Sequence, residues 1–235
     1  MPVIRLTEVF RQAASSRIVR NAHQINQGLY PSFPAKGEDS DCYFVLADEP
    51  EAIAATVVDL VSIRLPKKFG VDPVRDIQVL CPMNRGLTGA RGINQLLQNA
   101  LNLPGEHSLE MFGHAFSMGD KVMQIENNYD RDVYNGDIGF VTGIDREEEV
   151  LAVDFDGREI NYPFGELDEL VLCYATTIHK SQGSEYPVVV IPGVDTALHD
   201  AETQSDLHRH YSRQAISRAG WPEKSPRHGD QGQAD

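Results

Sequence analysis

Apolar positions along the chain follow two spacings, and the change between them is abrupt. Ser16 suits a helix N-cap, Ile18, Ala22 and Ile25 then share one helical face, and Gly28 ends the run, which predicts a helix over 16–28. Residues 29–42, with Pro31, Pro34 and Gly37, read as a loop. Tyr43 to Ala47 is a short apolar strand. Pro50 suits a first helical position, and Ile53, Val57, Leu60 and Val61 repeat at helical spacing until Pro66. Ile77 to Cys81, bounded by Asp76 and Pro82, predicts a second strand. A glycine-containing turn, Gly86 to Gly92, leads to a helix marked by Ile93, Leu96, Leu97 and Ala100. Strands alternating with helices predict a parallel sheet covered by helices.

Near residue 112 the texture shifts. From Gly119 to Tyr162 the period falls close to two, in VMQI, IGFVTGI, VLAVDF and EINY, separated by Asn135-Gly136, Gly143 and Asp156-Gly157. Asp156-Gly157 between Phe155 and Arg158 is a strong hairpin signal. Several short strands with tight turns in ~50 residues predict a small antiparallel barrel. Tyr174 to Gln182 and the apolar run Val188 to Ile191 restore the α/β pattern, so the barrel reads as an insertion. From Trp221 the chain is polar and aperiodic, and is expected to be disordered.

Charge follows the same division. The net charge is −14, yet residues 119–170 alone hold 15 acidic against 4 basic side chains. The remainder is close to neutral, and the first 36 residues are basic, with Arg5, Arg11, Arg17, Arg20 and Lys36 against Glu8. This balance does not exclude DNA as a partner, but it argues against a grip by bulk electrostatics. Cys42, Cys81 and Cys173 are dispersed and form no zinc pattern, so buried free thiols are expected. No apolar run approaches the ~20 residues of a membrane span. The first turns carry Arg5 and Glu8 in place of an apolar signal core, so the expected location is cytoplasmic, with no membrane partner.

Most of the chemistry is concentrated in YATTIHKSQGSEYPVVVIP, Tyr174 to Pro192. Thr176, Thr177, His179, Lys180, Ser181 and Gln182 crowd donor side chains ahead of Gly183, at what reads as a helix-to-strand turn. Such a cluster can hold phosphate oxygens without reading bases. A polar helix face with a glycine stop would account for one or two of these residues, not for the whole string.

This segment resembles motif V of superfamily 1 helicases, in the wording of RecD-like enzymes. The resemblance implies that Thr177, His179, Lys180 and Ser181 belong to the single-strand interface, with Thr177, His179 and Lys180 touching the backbone. It also sets Gly183 and Glu185 against the nucleotide edge of the motor cleft. The opening LTEVFRQAASSRIVRNAHQIN resembles motif IV, which assigns Arg11, with Gln12 beside it, to the terminal phosphate of ATP. HYSRQAISRAG resembles motif VI, whose usual form is a Tyr-containing helix, and it gives Arg218 the role of arginine finger. Such an Arg is worth about 10³ to 10⁵ in rate in nucleotide hydrolases generally. Beyond Arg218 the family would continue with an apolar strand, where this chain has Trp221 to Asp235.

Two further segments match. DIQVLCPMNRGLTGARGINQLLQ, Asp76 to Gln98, makes Arg85 a weak DNA-contact candidate at the sheet edge. GDKVMQIENNYDRDVYNGDIGFVTGID resembles the SH3-like insert of the family. There Asn127, Asn128, Tyr129, Tyr134 and Asn135 could meet single-stranded DNA through amides and stacking, or could simply form turns.

No G-x-x-x-x-G-K-[ST] occurs in residues 1–235. FVLADEP, Phe44 to Pro50, mimics a Walker B strand, but Asp48-Glu49 ahead of Pro50 reads better as a helix-capping pair. The expected fold is therefore α/β: a RecA-like, P-loop-NTPase-type parallel sheet without its own P-loop, interrupted by an SH3-like antiparallel barrel. The expected divisions are 1–111 and 167–220 for the motor domain, 112–166 for the barrel, and 221–235 for a tail.

The family implies a 5′→3′ ATP-dependent DNA helicase. ATP with Mg²⁺ would be shared with an N-terminal motor half, and single-stranded DNA and RecBC-like subunits are the partners implied. No metal site is expected in this chain itself. Alone it is expected not to hydrolyse ATP, as a gene fragment or a split subunit. A non-enzymatic single-strand-binding or assembly module, or the helicase segment of a conjugative relaxase, are the rival expectations.

Overall fold

The computed structural model describes residues 16–35, 37–105 and 107–193, together with the backbone of 213–218. Helix α1 (Arg17–Asn26) starts at Ser16, whose Oγ accepts from the Val19 N–H at 3.4 Å. Its expected apolar face is not the packed one: Ala22 and Ile25 are exposed and Asn21 is buried instead. The Asn21 side chain brackets Ser32, donating to its carbonyl and accepting from its N–H, both at 2.9 Å. With Ser16 and the Arg17 N–H donating to Asp41, at 2.6 and 3.0 Å, the helix is anchored to the following loop by polar bonds, which a hydrophobic pattern does not register.

Strand β1 (Cys42–Leu46) leads to α2 (Pro50–Asp59), where Glu49 occupies the N-cap position without a side-chain capping bond. The expected capping role of Asp48-Glu49 is therefore limited to backbone: the Glu49 carbonyl accepts from the Ile53 N–H at 2.8 Å. Pro66 does not end this helix, contrary to expectation. A π-turn, Leu60–Arg64, widens the coil before a further segment, α3 (Leu65–Phe69), which stops at Gly70. In the wider turn the Leu65 N–H bonds the Leu60 carbonyl, five residues back. The shifted register absorbs the donor that proline lacks.

Strand β2 (Ile77–Cys81) and helix α4 (Ala90–Leu101) flank a tight loop. There a Cβ on Gly89 would lie 2.2 Å from the Arg85 carbonyl oxygen, so only glycine lets the loop close on the helix start. After the short hairpin β3 (Leu109–Met111) and β4 (His114–Phe116) come β5 (Lys121–Gln124), β6 (Ile138–Asp145), β7 (Val150–Phe155) and β8 (Arg158–Pro163). A 3₁₀ turn, Phe164–Glu169, precedes β9 (Leu170–Leu172). Strands β5 to β9 form one antiparallel sheet, ordered β8-β7-β6-β5-β9. Phe155 pairs with Arg158 across Asp156-Gly157, both left-handed, which is the hairpin the sequence predicts. A register shift between Val141 and Gly143 bends β6.

The chain then returns through β10 (Ala175–Thr177), β11 (Val188–Ile191) and β12 (Arg213–Arg218). The second sheet is ordered β1-β12-β11-β2-β10. Strands β10, β2 and β11 are mutually parallel, and β12 runs antiparallel between β11 and β1. The segment expected as the helix of motif VI is thus a strand, filling the position between β1 and β11. Pairing on both sides, Ile216 with Tyr43 and with Val190, holds it as a strand, although its sequence does not alternate apolar with polar. Residues 221–235, expected as a disordered tail, lie outside the described residues. The architecture is α/β, a RecA-like sheet with an SH3-like antiparallel insert.

A continuous core joins the two sheets. Val57, Leu60, Val79, Ile93 and Leu97 belong to the same buried cluster as Val122, Val153, Tyr162 and Leu172. Buried polar groups also cross the junction. Gln78 Nε2 donates to the carbonyls of Cys173 and Tyr174, each at 3.2 Å, and Lys121 Nζ donates to the Ile77 carbonyl at 3.2 Å. Cys42, Cys81 and Cys173 are buried free thiols, as expected. Burial raises the Cys81 thiol to about 12 and the Cys173 thiol to about 11, so neither is a ready nucleophile.

Candidate nucleic-acid interface

Thr177 closes β10, and the six residues after it form consecutive turns, not the expected end of a helix. Thr177 organises this turn: its carbonyl accepts from the Ser181 N–H at 3.2 Å and its Oγ1 from the Lys180 N–H at 3.4 Å. A hydroxyl that accepts locally still has a proton to donate outward. Ser181 Oγ is committed inward, to the Ile178 carbonyl at 2.8 Å. His179 and Lys180 are exposed. Gly183 has φ +92°, a conformation that L side chains rarely adopt, and Glu185 follows on the exposed approach to β11.

Thr177 and Lys180 lie on one wall of a cavity of about 720 Å³ between α4, the β3–β4 hairpin and the antiparallel sheet. Asn84, Arg91, Gln95 and Asn99 line the same space from the motor side, and His114 faces it from the hairpin. Arg91, Gln95 and Asn99 recur every four residues along α4 and are exposed, so they form a polar stripe one turn apart. The sequence pattern hides this stripe because its apolar counterpart, Ile93, Leu96 and Leu97, carries the helical signal. Burial, then the nearby Arg91 guanidinium, lowers the His114 pKa from its ordinary 6.5, so its imidazole is neutral at pH 7. Lys180 and Arg91 supply positive charge, and three amides offer donors and acceptors. Such a lining suits a phosphodiester chain with bases of any identity.

Of the other residues that the resemblance singles out, none whose side chain is described lines this cavity. Arg85 is exposed on the loop after β2, outside the cavity lining. Asn128 bridges to Val133 and donates from Nδ2 to Glu169 Oε2 at 3.2 Å, which gives its amide a folding role. Tyr129 is 75 % exposed and meets Tyr134 edge to face at 6.0 Å between ring centroids. Asn127 holds the neighbouring turn, accepting from the Asn135 N–H at 2.9 Å. Arg11 and Gln12 lie outside the described residues. Arg218 is placed by its backbone alone, opposite Val188 at the end of β12. A second cavity, about 560 Å³ beside Phe33, Tyr43, Phe44 and Lys68, is lined by none of these residues among the described ones. Among the described residues no group of His, Cys, Asp and Glu could hold a metal ion. Nor is any described helix long and apolar enough to cross a membrane.

Comparison with known proteins bears on the family of the chain. Residues 93–155 match the family described as the ATP-dependent RecD-like DNA helicase SH3 domain. Residues 172–211 match the UvrD-like helicase C-terminal domain. The ATP-dependent RecD2 DNA helicase of Deinococcus radiodurans is 34 % identical over 218 residues, 93 % of this chain and 28 % of that protein. The RecBCD enzyme subunit RecD of Buchnera aphidicola is 30 % identical over 57 % of this chain and 23 % of its own length. The chain therefore spans about a quarter of the curated relatives it matches. Among solved structures, a Bacteroides Pif1 helicase in complex with ADP-AlF3 and ssDNA superposes with a TM-score of 0.49. That match has 19 % identity and covers 80 % of this chain and 45 % of that one. With its SH3 domain and its C-terminal helicase segment both matched, and with a RecD2 relative aligned along nearly its whole length, the chain belongs to the RecD-like superfamily 1 helicases and corresponds to a C-terminal part of one.

Proposed function

We propose that this chain is the second motor domain and barrel of a 5′→3′ ATP-dependent DNA helicase, and that single-stranded DNA runs through the cavity between α4 and the β3–β4 hairpin. The observation that carries this reading is the convergence of Thr177 and Lys180, from the motif V resemblance, with Arg91, Asn84 and His114 on one cavity, whose floor also holds apolar side chains such as Met123 and Ile125. Lys180 and Arg91 neutralise phosphates, and Thr177 donates its hydroxyl to a phosphate oxygen. His179 and Ser181 act less directly: His179 stands exposed beside the path, and Ser181 holds the turn. Asn128, Tyr129 and Arg85 would extend the path at its margins, with Tyr129 offering a stacking face.

In the same reading Arg11, with Gln12 beside it, and Arg218 serve the phosphates of ATP, with Gly183 and Glu185 at the nucleotide edge. ATP and Mg²⁺ would sit against a P-loop, Mg²⁺ ligand and catalytic Glu provided by a first motor domain. Residues 1–235 contain no P-loop, so hydrolysis would need that partner half. Residues 1–111 and 167–220 are proposed to form the motor unit and 112–166 the barrel. RecBC-like subunits remain proposed partners.

Fluorescence anisotropy with a labelled oligothymidylate of about 20 nucleotides tests the interface. The chain should bind, and Thr177→Val with Lys180→Ala should weaken binding about tenfold or more, since each phosphate interaction removed costs ~1 kcal/mol. Equal affinity in the double variant would refute the assigned path. Adding a P-loop-bearing first motor domain should confer DNA-stimulated ATP hydrolysis that Arg218→Ala abolishes. Binding that survives, with no ATPase ever gained, would instead favour a non-enzymatic single-strand-binding module.

A further inference from the structure

The polar stripe of α4 that faces the cavity has a buried neighbour. Asn94, Gln98 and Asn102 also recur every four residues, and each spends its side-chain amide on a segment outside the helix. Asn94 brackets Ala175 of β10, donating to its carbonyl at 2.7 Å and accepting from its N–H at 2.8 Å. Gln98 Nε2 donates to the Ala115 carbonyl at 2.6 Å and to Asp120 Oδ2 at 2.7 Å. Asn102 Nδ2 donates to the Met118 carbonyl at 2.9 Å and to Asp120 Oδ1 at 2.8 Å.

Asp120 is fully buried and completes the series. Besides the two amides it accepts from the Ser117 N–H and the Tyr174 hydroxyl, both at 2.7 Å. All four of these partners are donors, so an ionised carboxylate satisfies every one of them. Tyr174 stands directly before β10, and Asp120 directly before β5. One carboxylate therefore joins the strand that ends in Thr177, the helix that carries Arg91, and the start of the antiparallel sheet.

We propose that the Asn94–Gln98–Asn102 ladder, closed by Asp120, is a positioning device that fixes the distance between the two walls of the cavity. The motor wall and the hairpin wall are set by α4 as by a common ruler, and the antiparallel sheet moves with the motor domain instead of swinging on its connections. Apolar packing alone would allow sliding of the sheets, because it is non-directional. Directed amide and carboxylate bonds in a buried place do not, since each broken bond leaves an unsatisfied polar group. This assignment rests on the proposed reading of the cavity for its purpose, but not for its mechanics.

The two are tested separately. Spin labels on cysteines introduced at the exposed positions Ala100 and Glu148 report the separation of α4 from the antiparallel sheet by pulsed dipolar spectroscopy. The native thiols are buried and stay unlabelled. Asp120→Asn puts an amide donor against donors, and Asn102→Ala removes one arm at the partly exposed end of the ladder. If Asp120→Asn does not fold, Asn102→Ala carries the test. The expected result is a broadened or displaced distance distribution with cooperative unfolding retained, and an oligothymidylate affinity lowered about threefold to thirtyfold. An unchanged distribution in the folded variants overturns the ladder as a positioning device. A changed distribution with unchanged affinity overturns its role in setting the cavity. Should the unsubstituted chain not bind oligothymidylate at all, the cavity reading fails, and the distance measurement still decides the mechanics.

Discussion

Asn94 of α4 holds both backbone polar groups of Ala175, the first residue of β10, through an amide-to-backbone pair at 2.7 and 2.8 Å. A side chain here does what a neighbouring strand would do. Strand β10 lies at the end of its sheet, next to β2 only, and Asn94 supplies the hydrogen bonds on its outer side. The residue that leads into the Thr177 turn is thus fixed by a helix.

Asn94→Ala should lower stability by roughly 2–4 kcal/mol, because it strands a buried N–H and a buried carbonyl together. Asn94→Asp keeps the acceptor for the Ala175 N–H but turns an anion toward the Ala175 carbonyl, so it should be no milder. Urea denaturation gives both values, and a cost under about 0.5 kcal/mol for either would contradict the pairing.

Lys121 gives stability a pH dependence of known sign. Burial lowers its pKa from the ordinary 10.5 to about 8, so between those values the unfolded chain binds a proton that the folded chain does not. Stability attributable to this group is therefore gained as pH rises from about 8 to about 10.5 and lost as pH falls back through about 8. The full amplitude is on the order of 3 kcal/mol. Comparing the chain with Lys121→Met between about pH 7 and pH 10 isolates it from other titrations. The difference in unfolding free energy should move in favour of the lysine as pH increases, and a flat difference would rule the burial effect out.

Gly89→Ala should be far more damaging than an ordinary glycine substitution. Its Cβ would come within 2.2 Å of the Arg85 carbonyl oxygen and 2.8 Å of the Asn84 carbonyl carbon, and both are backbone. The loop would have to open, which would displace the start of α4 and, with it, Arg91. A loss of ~3 kcal/mol or more, or failure to fold, is expected. Gly165→Ala is the control, since nothing lies within 4 Å of its Cβ position.

Salt dependence separates phosphate contact from shape. If Lys180 neutralises one phosphate, Lys180→Ala should reduce the slope of log affinity against log salt by about 1, uniformly across sequences. Tyr129→Ala should weaken binding without altering that slope, because a stacked base carries no counterion. A reduced slope for Tyr129→Ala would contradict its stacking role.

Much of this fold is legible where a periodic pattern meets a clear boundary. The apolar run Ile77 to Cys81 appears as β2 with the predicted limits, and the Asp156-Gly157 hairpin appears in register. Departures occur where polar or backbone geometry decides. Pro66 lies inside helix because a π-turn shifts the hydrogen-bond register, and propensity carries no sign of that. Asn21 outcompetes Ile25 for the packed face of α1 by bracketing Ser32. The turn after Thr177 follows a strand, since His179-Lys180-Ser181-Gln182 offers no apolar face with which a helix could pack. Within the candidate site, Thr177 and Lys180 are visible through their motif. Arg91 and His114 are not, because they converge only once α4 is set against the β3–β4 hairpin. The second amide row, Asn94, Gln98 and Asn102, does have a signal: three amides at helical spacing beside an apolar stripe.

Strands β5 and β9 are neighbours in the antiparallel sheet, with Val122 opposite Leu172. The chain therefore departs and comes back through a single doorway, about 5 Å wide at the Cα atoms. Everything between is a detour that the rest of the polypeptide does not have to thread around. Length added at the far tips of this detour, beyond the shared core, leaves the path from α4 to β10 on its course.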